Sequence, residues 1–137
     1  MTKKLIAITQ REIKDKIGGE TRDSLDRRWF SFFKKCDFIP VLLPSEITLV
    51  KQIFAQIKID GILLSGGGDI KSCGGKDVAR EEVEDFLIKF SVQKKIPLLG
   101  VCRGMQKIQD SFGIKLDKVL GHVAKKQKIT INKKFVK

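Results

Sequence analysis

Three cysteines and one histidine are the nucleophilic and metal-ligating candidates of this 137-residue chain. Cys102 stands apart from the other two thiols. It ends the aliphatic run Leu98-Leu99-Gly100-Val101 and is followed at once by Arg103-Gly104, where an ordinary turn would more often offer Asn, Asp or Pro. Gly100 and Gly104 lie two residues to either side, the spacing of small residues that a sharp strand–turn–helix elbow requires. Bulky side chains there would collide with the neighbouring strand. A helix starting at Arg103 would favour the thiolate through its dipole and free amides, with Arg103 as a positive neighbour. A buried structural cysteine is the alternative, but it leaves both glycines unexplained. Cys36 falls on an apolar stripe and reads as core. Cys73 sits in a loop with nothing to activate it.

The stretch Leu63-Leu64-Ser65-Gly66-Gly67-Gly68-Asp69 selects among chemistries. A phosphate-binding loop ending at Gly75-Lys76 would need glycine where Ile70 stands and Ser or Thr in place of Asp77. A dinucleotide fingerprint starting at Gly66 would need glycine at Lys71. What remains is Gly66, Gly67 and Gly68 at the end of a strand that should neighbour the cysteine strand. Glycines there let a backbone N–H turn toward an oxyanion, with the Arg103 N–H as second donor; a merely flexible loop is the competing reading. There is no C-x-x-C pair, and His122 has no second histidine to join, so no metal site and no cofactor are expected.

The elements that must hold these groups alternate along the chain. Lys4–Thr9 reads as a strand. Ser24 can cap a helix carrying Leu25, Trp29, Phe32, Phe33 and Cys36 at helical spacing. Phe38–Pro44 forms a second strand, with its prolines at the ends or on an edge. Ser45 then caps a helix with Ile47, Val50, Ile53, Phe54 and Ile57 on one face. Gly61–Ser65 is a third strand, Val83, Phe86, Leu87 and Phe90 mark a third helix, and Ile96–Val101 is a fourth strand. A last helix, from about Arg103 to Phe112, stops at Gly113. Continuous aliphatic strands between amphipathic helices predict an α/β domain, one parallel sheet covered on both faces. Beyond it, Lys128–Asn132 and Lys134–Val136 read as half-exposed strands. Ligands in such a sheet bind at the carboxyl ends of the strands, where Cys102 stands.

Charge narrows the partners. Lys and Arg number 28 against 16 Asp and Glu, a net charge of +12, and seven lysines with no acid fall between Lys118 and Lys137. Such a tail attracts polyanions, yet it lacks interleaved aromatics, so nucleic acid is not the expected partner. The first ten residues hold too short an apolar run for a signal core or a membrane span. Few cysteines and no signal segment predict a cytoplasmic protein.

Taken together, Gly61–Asp69, the helix with Arg80-Glu81-Glu82-Val83-Glu84, and Ile96–Gln106 resemble the class I glutamine amidotransferase-like superfamily, in its γ-glutamyl hydrolase (peptidase C26) branch. The likeness runs from about residue 4 to the end of the chain. Gly19–Pro44 further resembles members that act on γ-glutamyl-CDP-amidates in capsule biosynthesis. The resemblance implies a flavodoxin-like doubly wound fold and a γ-glutamyl small-molecule substrate whose leaving group is a nucleotide-linked amide. Cys102 would attack the γ-carbonyl to give a thioester that water hydrolyses. The amides of Gly67 and Arg103 would hold the oxyanion, with Gly66 and Gly68 shaping the loop. Gln106 and His122 correspond to pocket positions. Arg80 and Glu84 match an Arg-x-x-x-Glu segment bordering the pocket, against the plainer reading of an i,i+4 surface ion pair. Arg22, Asp23, Asp26, Arg27 and Arg28 are candidates for the leaving group, or else a solvated helix start.

One departure from the family pattern matters. The family carries its base and orienting acid as a His-x-Glu pair far downstream of the elbow, and the 35 residues after Cys102 contain His122 alone. Gln127 stands where a further histidine is expected. The reading is of residues 1–137 as the N-terminal portion of one such domain, lacking part of its triad. It would be completed by another chain or in a homodimer, would persist as an inactive binding or folded module, or would serve as a glutaminase component supplying ammonia to a synthase.

Overall fold

The computed structural model describes residues 2–122, 124–126 and 128. Its strands and α-helices are, in order, β1 (Lys4–Ile8), β2 (Arg11–Lys14), β3 (Thr21–Ser24), α1 (Arg28–Lys35), β4 (Phe38–Leu42), α2 (Ile47–Gln56), β5 (Gly61–Leu64), α3 (Val78–Lys94), β6 (Leu98–Gly100) and α4 (Arg103–Ser111). The four strands expected from the aliphatic runs form one parallel sheet in the order β4-β1-β5-β6. This is a flavodoxin-like α/β arrangement, and its strand order reverses between β1 and β5. β4 is an edge strand, which is why Pro40 is tolerated inside it.

Period-two alternation distributes the strand side chains between two unequal cores. Ala7, Ile62 and Leu64 face α2 and α3, where Val50, Val83, Leu87 and Ile88 are buried with them. Each of the Val, Leu and Ile side chains contributes about 1.5–3 kcal/mol on leaving water. Phe54 stacks edge-on against Phe86 and Phe90, locking α2 to α3. Ile8 and Leu63 face the other way, onto Phe33 of α1, with Leu25 and Trp29 at the margin. Among the described residues no helix is long and apolar enough to cross a membrane.

Several local expectations are corrected. Residues 11–24 fold as an antiparallel hairpin, β2 on β3, rather than leading into a helix. Its turn is closed by Asp15 N donating to Glu20 O at 2.8 Å. Ser24 is paired with Arg11 in that ladder and caps nothing. The Arg28 amide at the start of α1 instead donates to the Asp26 carboxylate at 2.8 Å. Ser45 is displaced in the same way: Glu46 accepts from Thr48 N and Leu49 N (3.0 and 2.7 Å), while Ser45 N donates to Asp23. In both places a carboxylate one or two residues on is the stronger acceptor for the free amides. Cys36, expected in the core, is exposed just past the end of α1. The two late strand readings, at Lys128–Asn132 and Lys134–Val136, lie outside the described residues apart from Lys128.

Candidate active site

The elbow at Cys102 has the strained geometry its glycines suggest. Cys102 precedes α4 with φ 55° and ψ −113°, a conformation costly for any residue with a Cβ and found chiefly where structure around it enforces it. Two close approaches do the enforcing. A Cβ on Gly104 would lie 2.1 Å from Leu64 O, and one on Gly100 would lie 2.5 Å from the Gly104 carbonyl. Only glycine at both positions lets α4 start directly against β5. The Val101 amide closes the turn on Leu64 O at 3.0 Å. Cys102 itself is exposed at the carboxyl end of the sheet.

The glycine loop after β5 lies beside it. A methyl group on Gly66 would sit 3.2 Å from the Cβ and 3.7 Å from the Sγ of Cys102. Arg80 sets the loop's orientation from behind. Its guanidinium donates to three successive carbonyls: Ser65 O at 2.6 Å, Gly66 O at 3.3 Å and Gly67 O at 2.9 Å. In a trans peptide the C=O and the following N–H point in opposite directions. With the Gly66 carbonyl turned toward Arg80, the Gly67 amide is turned away from it, and Gly67 takes φ 93° to make the bend. Among the described residues neither the Gly67 amide nor the Arg103 amide donates to a protein acceptor.

Below the elbow the charged groups form one buried cluster. Glu84 accepts from Arg80 Nε at 2.8 Å and from Arg103 Nη1, and Thr9 Oγ1 reaches it at 3.4 Å. Arg103 also donates to Glu81 at 2.7 Å and to Asp69 O at 3.2 Å. Lys107 completes the chain on Glu81 and Asp85, both at 2.7 Å. Arg80 and Arg103 are each 1% exposed and Glu84 not at all. The surface-pair reading of Arg80 and Glu84 is therefore wrong. Burial lowers the Arg80 pKa, opposed by the charge of Glu84. For Lys107 burial also works against the charge, but hydrogen bonds to Asp85 and Glu81 outweigh it and its pKa is raised. The Arg103 guanidinium, expected as a positive neighbour of the thiol, is engaged by the Glu81 and Glu84 carboxylates under the helix.

The remaining candidates are distributed around this centre. Gln106 is half-buried one turn into α4, its backbone N–H donating to Cys102 O at 3.1 Å. Gly68 follows in the loop with φ 75°. His122 is exposed in the irregular segment after α4. Arg22 is on β3, ion-paired with Glu20, and Arg27 directly precedes α1. Neither lines the cavity beside the elbow, of about 230 Å³, whereas Arg28, Asp26, Trp29 and Arg11 do. Sequence reasoning passed over Arg11. The signal for it was the Gly18-Gly19 turn, which marks a hairpin whose first strand it opens. Among the described residues no group of His, Cys, Asp and Glu is arranged to hold a metal.

The sequence model of the family described as peptidase C26 matches residues 4–135. The chain is 32% identical over 138 residues to a γ-glutamyl-CDP-amidate hydrolase of Campylobacter jejuni, covering 96% of this chain and 66% of that protein. It is 33% identical over 109 residues to a glutamine amidotransferase-like protein of Rickettsia prowazekii, covering 71% and 38%. A component of a glutamine-hydrolysing GMP synthase from Methanococcus maripaludis shares 31% over 88 residues, 64% of this chain and 36% of the relative. The chain thus spans just under two thirds of the first relative and less of the others.

Proposed function

Because this chain belongs to the peptidase C26 family, we propose that it carries the thiol half of a site hydrolysing a γ-glutamyl amide. The Cys102 thiolate attacks the γ-carbonyl carbon, and the carbonyl oxygen becomes an oxyanion held by the Gly67 and Arg103 amides. Collapse expels the amine, which takes up a proton, and leaves a γ-glutamyl thioester. Water then attacks the thioester through a second oxyanion, releasing glutamate and the thiol. The single observation that carries this reading is the juxtaposition of a strained, exposed cysteine with two unengaged amides, one on the adjoining glycine loop and one on its own helix. Gln106 and His122 are assigned to the glutamyl pocket. Similarity to the γ-glutamyl-CDP-amidate hydrolase extends through the hairpin and α1, which favours a nucleotide-linked leaving group over an ammonia-supplying role.

With one histidine in 137 residues, the reading places the base and its orienting acid outside them. The chain by itself should turn over γ-glutamyl amides on the order of 10⁴-fold more slowly than a complete triad, since triad members act as a unit. Robust turnover abolished by both Cys102→Ala and His122→Ala would show instead that His122 is the base. The nucleophile is tested independently of turnover with 6-diazo-5-oxo-L-norleucine, a γ-glutamyl-like electrophile. Peptide mapping should find the adduct on Cys102, with Cys36 and Cys73, which are also exposed, unmodified. Equal modification of all three thiols would end the assignment.

A further inference from the structure

Arg11 lies against the glycine loop, and the proposed chemistry gives it no role. It opens β2 immediately beyond the carboxyl end of β1, at the point where the strand order reverses and α/β sheets bind ligands. Its side chain lies across the glycine loop: a methyl group on Gly67 would be 2.8 Å from Arg11 Cδ and 3.3 Å from Nη1. Arg80 and Arg103 are saturated with carboxylates and carbonyls, and Arg22 and Arg28 are each ion-paired. The Arg11 guanidinium makes no hydrogen bond or ion pair among the described residues.

Two cavities flank it. In the larger, about 490 Å³, the carboxylates of Glu12, Asp69 and Asp77 balance the charges of Arg11, Lys76 and Arg103. In the smaller, about 230 Å³, the only carboxylate is Asp26. Arg28 holds that carboxylate through two side-chain hydrogen bonds, at 2.9 and 2.6 Å. The smaller cavity thus sets two guanidinium groups against one carboxylate, and Arg11, which Asp26 attracts only through space, is the one with its donors uncommitted. Val101 and Gly66 bring that cavity to the elbow, and Trp29 forms its outer wall. Past Trp29 the surface continues as an open depression of about 350 Å³ bounded by Asp26, Arg28 and Phe32.

We propose that Arg11 recognises a phosphoryl group of the leaving group, while the face of Trp29 receives its nucleobase. Guanidinium presents planar paired donors suited to phosphoryl oxygens, and bases stack on indole with little regard to sequence. The order from the elbow outward is glycine loop, Arg11, Trp29, which is the order of acyl group, phosphoryl group and base in a γ-glutamyl amide of a nucleotide. The assignment rests on the γ-glutamyl reading for what occupies the elbow, but not for the phosphoryl contact itself.

Trp29 is the single tryptophan of the chain, so its fluorescence reports the site directly and without turnover. Cytidine diphosphate should quench it saturably, and inorganic pyrophosphate, which has no base, should displace the nucleotide. Arg11→Gln should weaken cytidine diphosphate at least tenfold and leave the weaker binding of cytidine unchanged, while Arg11→Lys recovers part of the loss. A retained circular dichroism spectrum shows that the variants are folded. An unaltered nucleotide affinity in Arg11→Gln, a lack of competition by pyrophosphate, or no binding to the native chain would each overturn the proposal. If 6-diazo-5-oxo-L-norleucine fails to label Cys102 while the nucleotide still binds through Arg11, the γ-glutamyl reading fails and the phosphoryl site stands.

Discussion

Two sets of arginines divide this molecule. Beneath the elbow, Arg80 and Arg103 are buried, and every polar atom of theirs without solvent has a partner. Above it, Arg11, Arg22, Arg27 and Arg28 stand in solvent around the hairpin and the start of α1. The buried set cannot respond to a ligand, because its donors are already committed. What it can do is fix backbone: Arg80 determines which way three peptide groups of the glycine loop face, and Glu84 ties that guanidinium to the residue after the nucleophile. The exposed set fixes little and is available for recognition. Burial thus sorts one residue type into framework and reader, and the sorting can be broken at either end.

The largest effect is expected from Glu84, which two buried guanidinium groups share. Glu84→Gln keeps the shape and removes the charge, leaving Arg80 without a paired carboxylate and Arg103 with Glu81 alone. Breaking a buried pair on one side costs about 3–5 kcal/mol, a large part of the roughly 5–15 kcal/mol typical of a domain. Urea unfolding should show a much lower midpoint with an unchanged slope. Should Glu84→Gln unfold within about 1 kcal/mol of the native chain, well short of that cost, the network is not holding the elbow.

Arg80→Lys sharpens the same point at smaller cost. The lysine retains a charge for Glu84 but has no planar fork to span Ser65 O, Gly66 O and Gly67 O. Each carbonyl left unsatisfied costs about 1–3 kcal/mol, partly recovered by water. The distinguishing measurement is hydrogen exchange at the Gly67 and Gly68 amides, which should quicken relative to β5. It should be accompanied by a greater slowing of Cys102 labelling by the diazo-ketone than by iodoacetamide, because only the former has a glutamyl-like group to hold its carbonyl oxygen on the loop amides. Parallel changes in both labelling rates would mean that the loop orientation is irrelevant to the thiol.

The framework was the more legible of the two regions in its backbone and the less legible in its charges. Aliphatic runs and helical stripes are local and periodic, so the four parallel strands and four helices could be read directly. Gly100 and Gly104 made the elbow legible because a close backbone approach leaves a mark in the sequence. The Arg80–Glu84 pair left no such mark, since i,i+4 spacing is the same on a solvated face and a buried one. Only the tertiary position of Arg103, nineteen residues from Glu84, decides between them. The hairpin was hidden for a different reason. Four-residue strands with one apolar side chain each, if any, carry almost no period, and Ser24 offered a cap that the ladder with Arg11 then occupied.

In the reader, Arg11→Gln should leave stability nearly unchanged, within about 0.5 kcal/mol, as for surface substitutions that break no partner. Its consequence belongs to binding alone. That separation is the converse of Glu84→Gln. A substantial loss of stability in Arg11→Gln would put Arg11 with the framework and weaken the comparison.

The smallest effect concerns the exposed pair at the start of α1. Hydrogen bonds from the Arg28 side chain and amide hold the Asp26 carboxyl down to about 2, against 3.8 ordinarily. A carboxyl whose folded pKa is depressed contributes stability that is present above 3.8 and lost as pH falls toward 2. Because the pair is open to solvent and salt, the contribution to unfolding should be hard to detect even though the titration shift is plain. Carbon-detected NMR of the Asp26 side chain should give a midpoint near 2 in low salt. Arg28→Gln should return it partway toward 3.8, the backbone amide still donating, without moving the unfolding midpoint at neutral pH. If Arg28→Gln instead destabilises the fold as Glu84→Gln does, exposure is not what separates the two sets of arginines, and Arg28 belongs with Arg80 and Arg103.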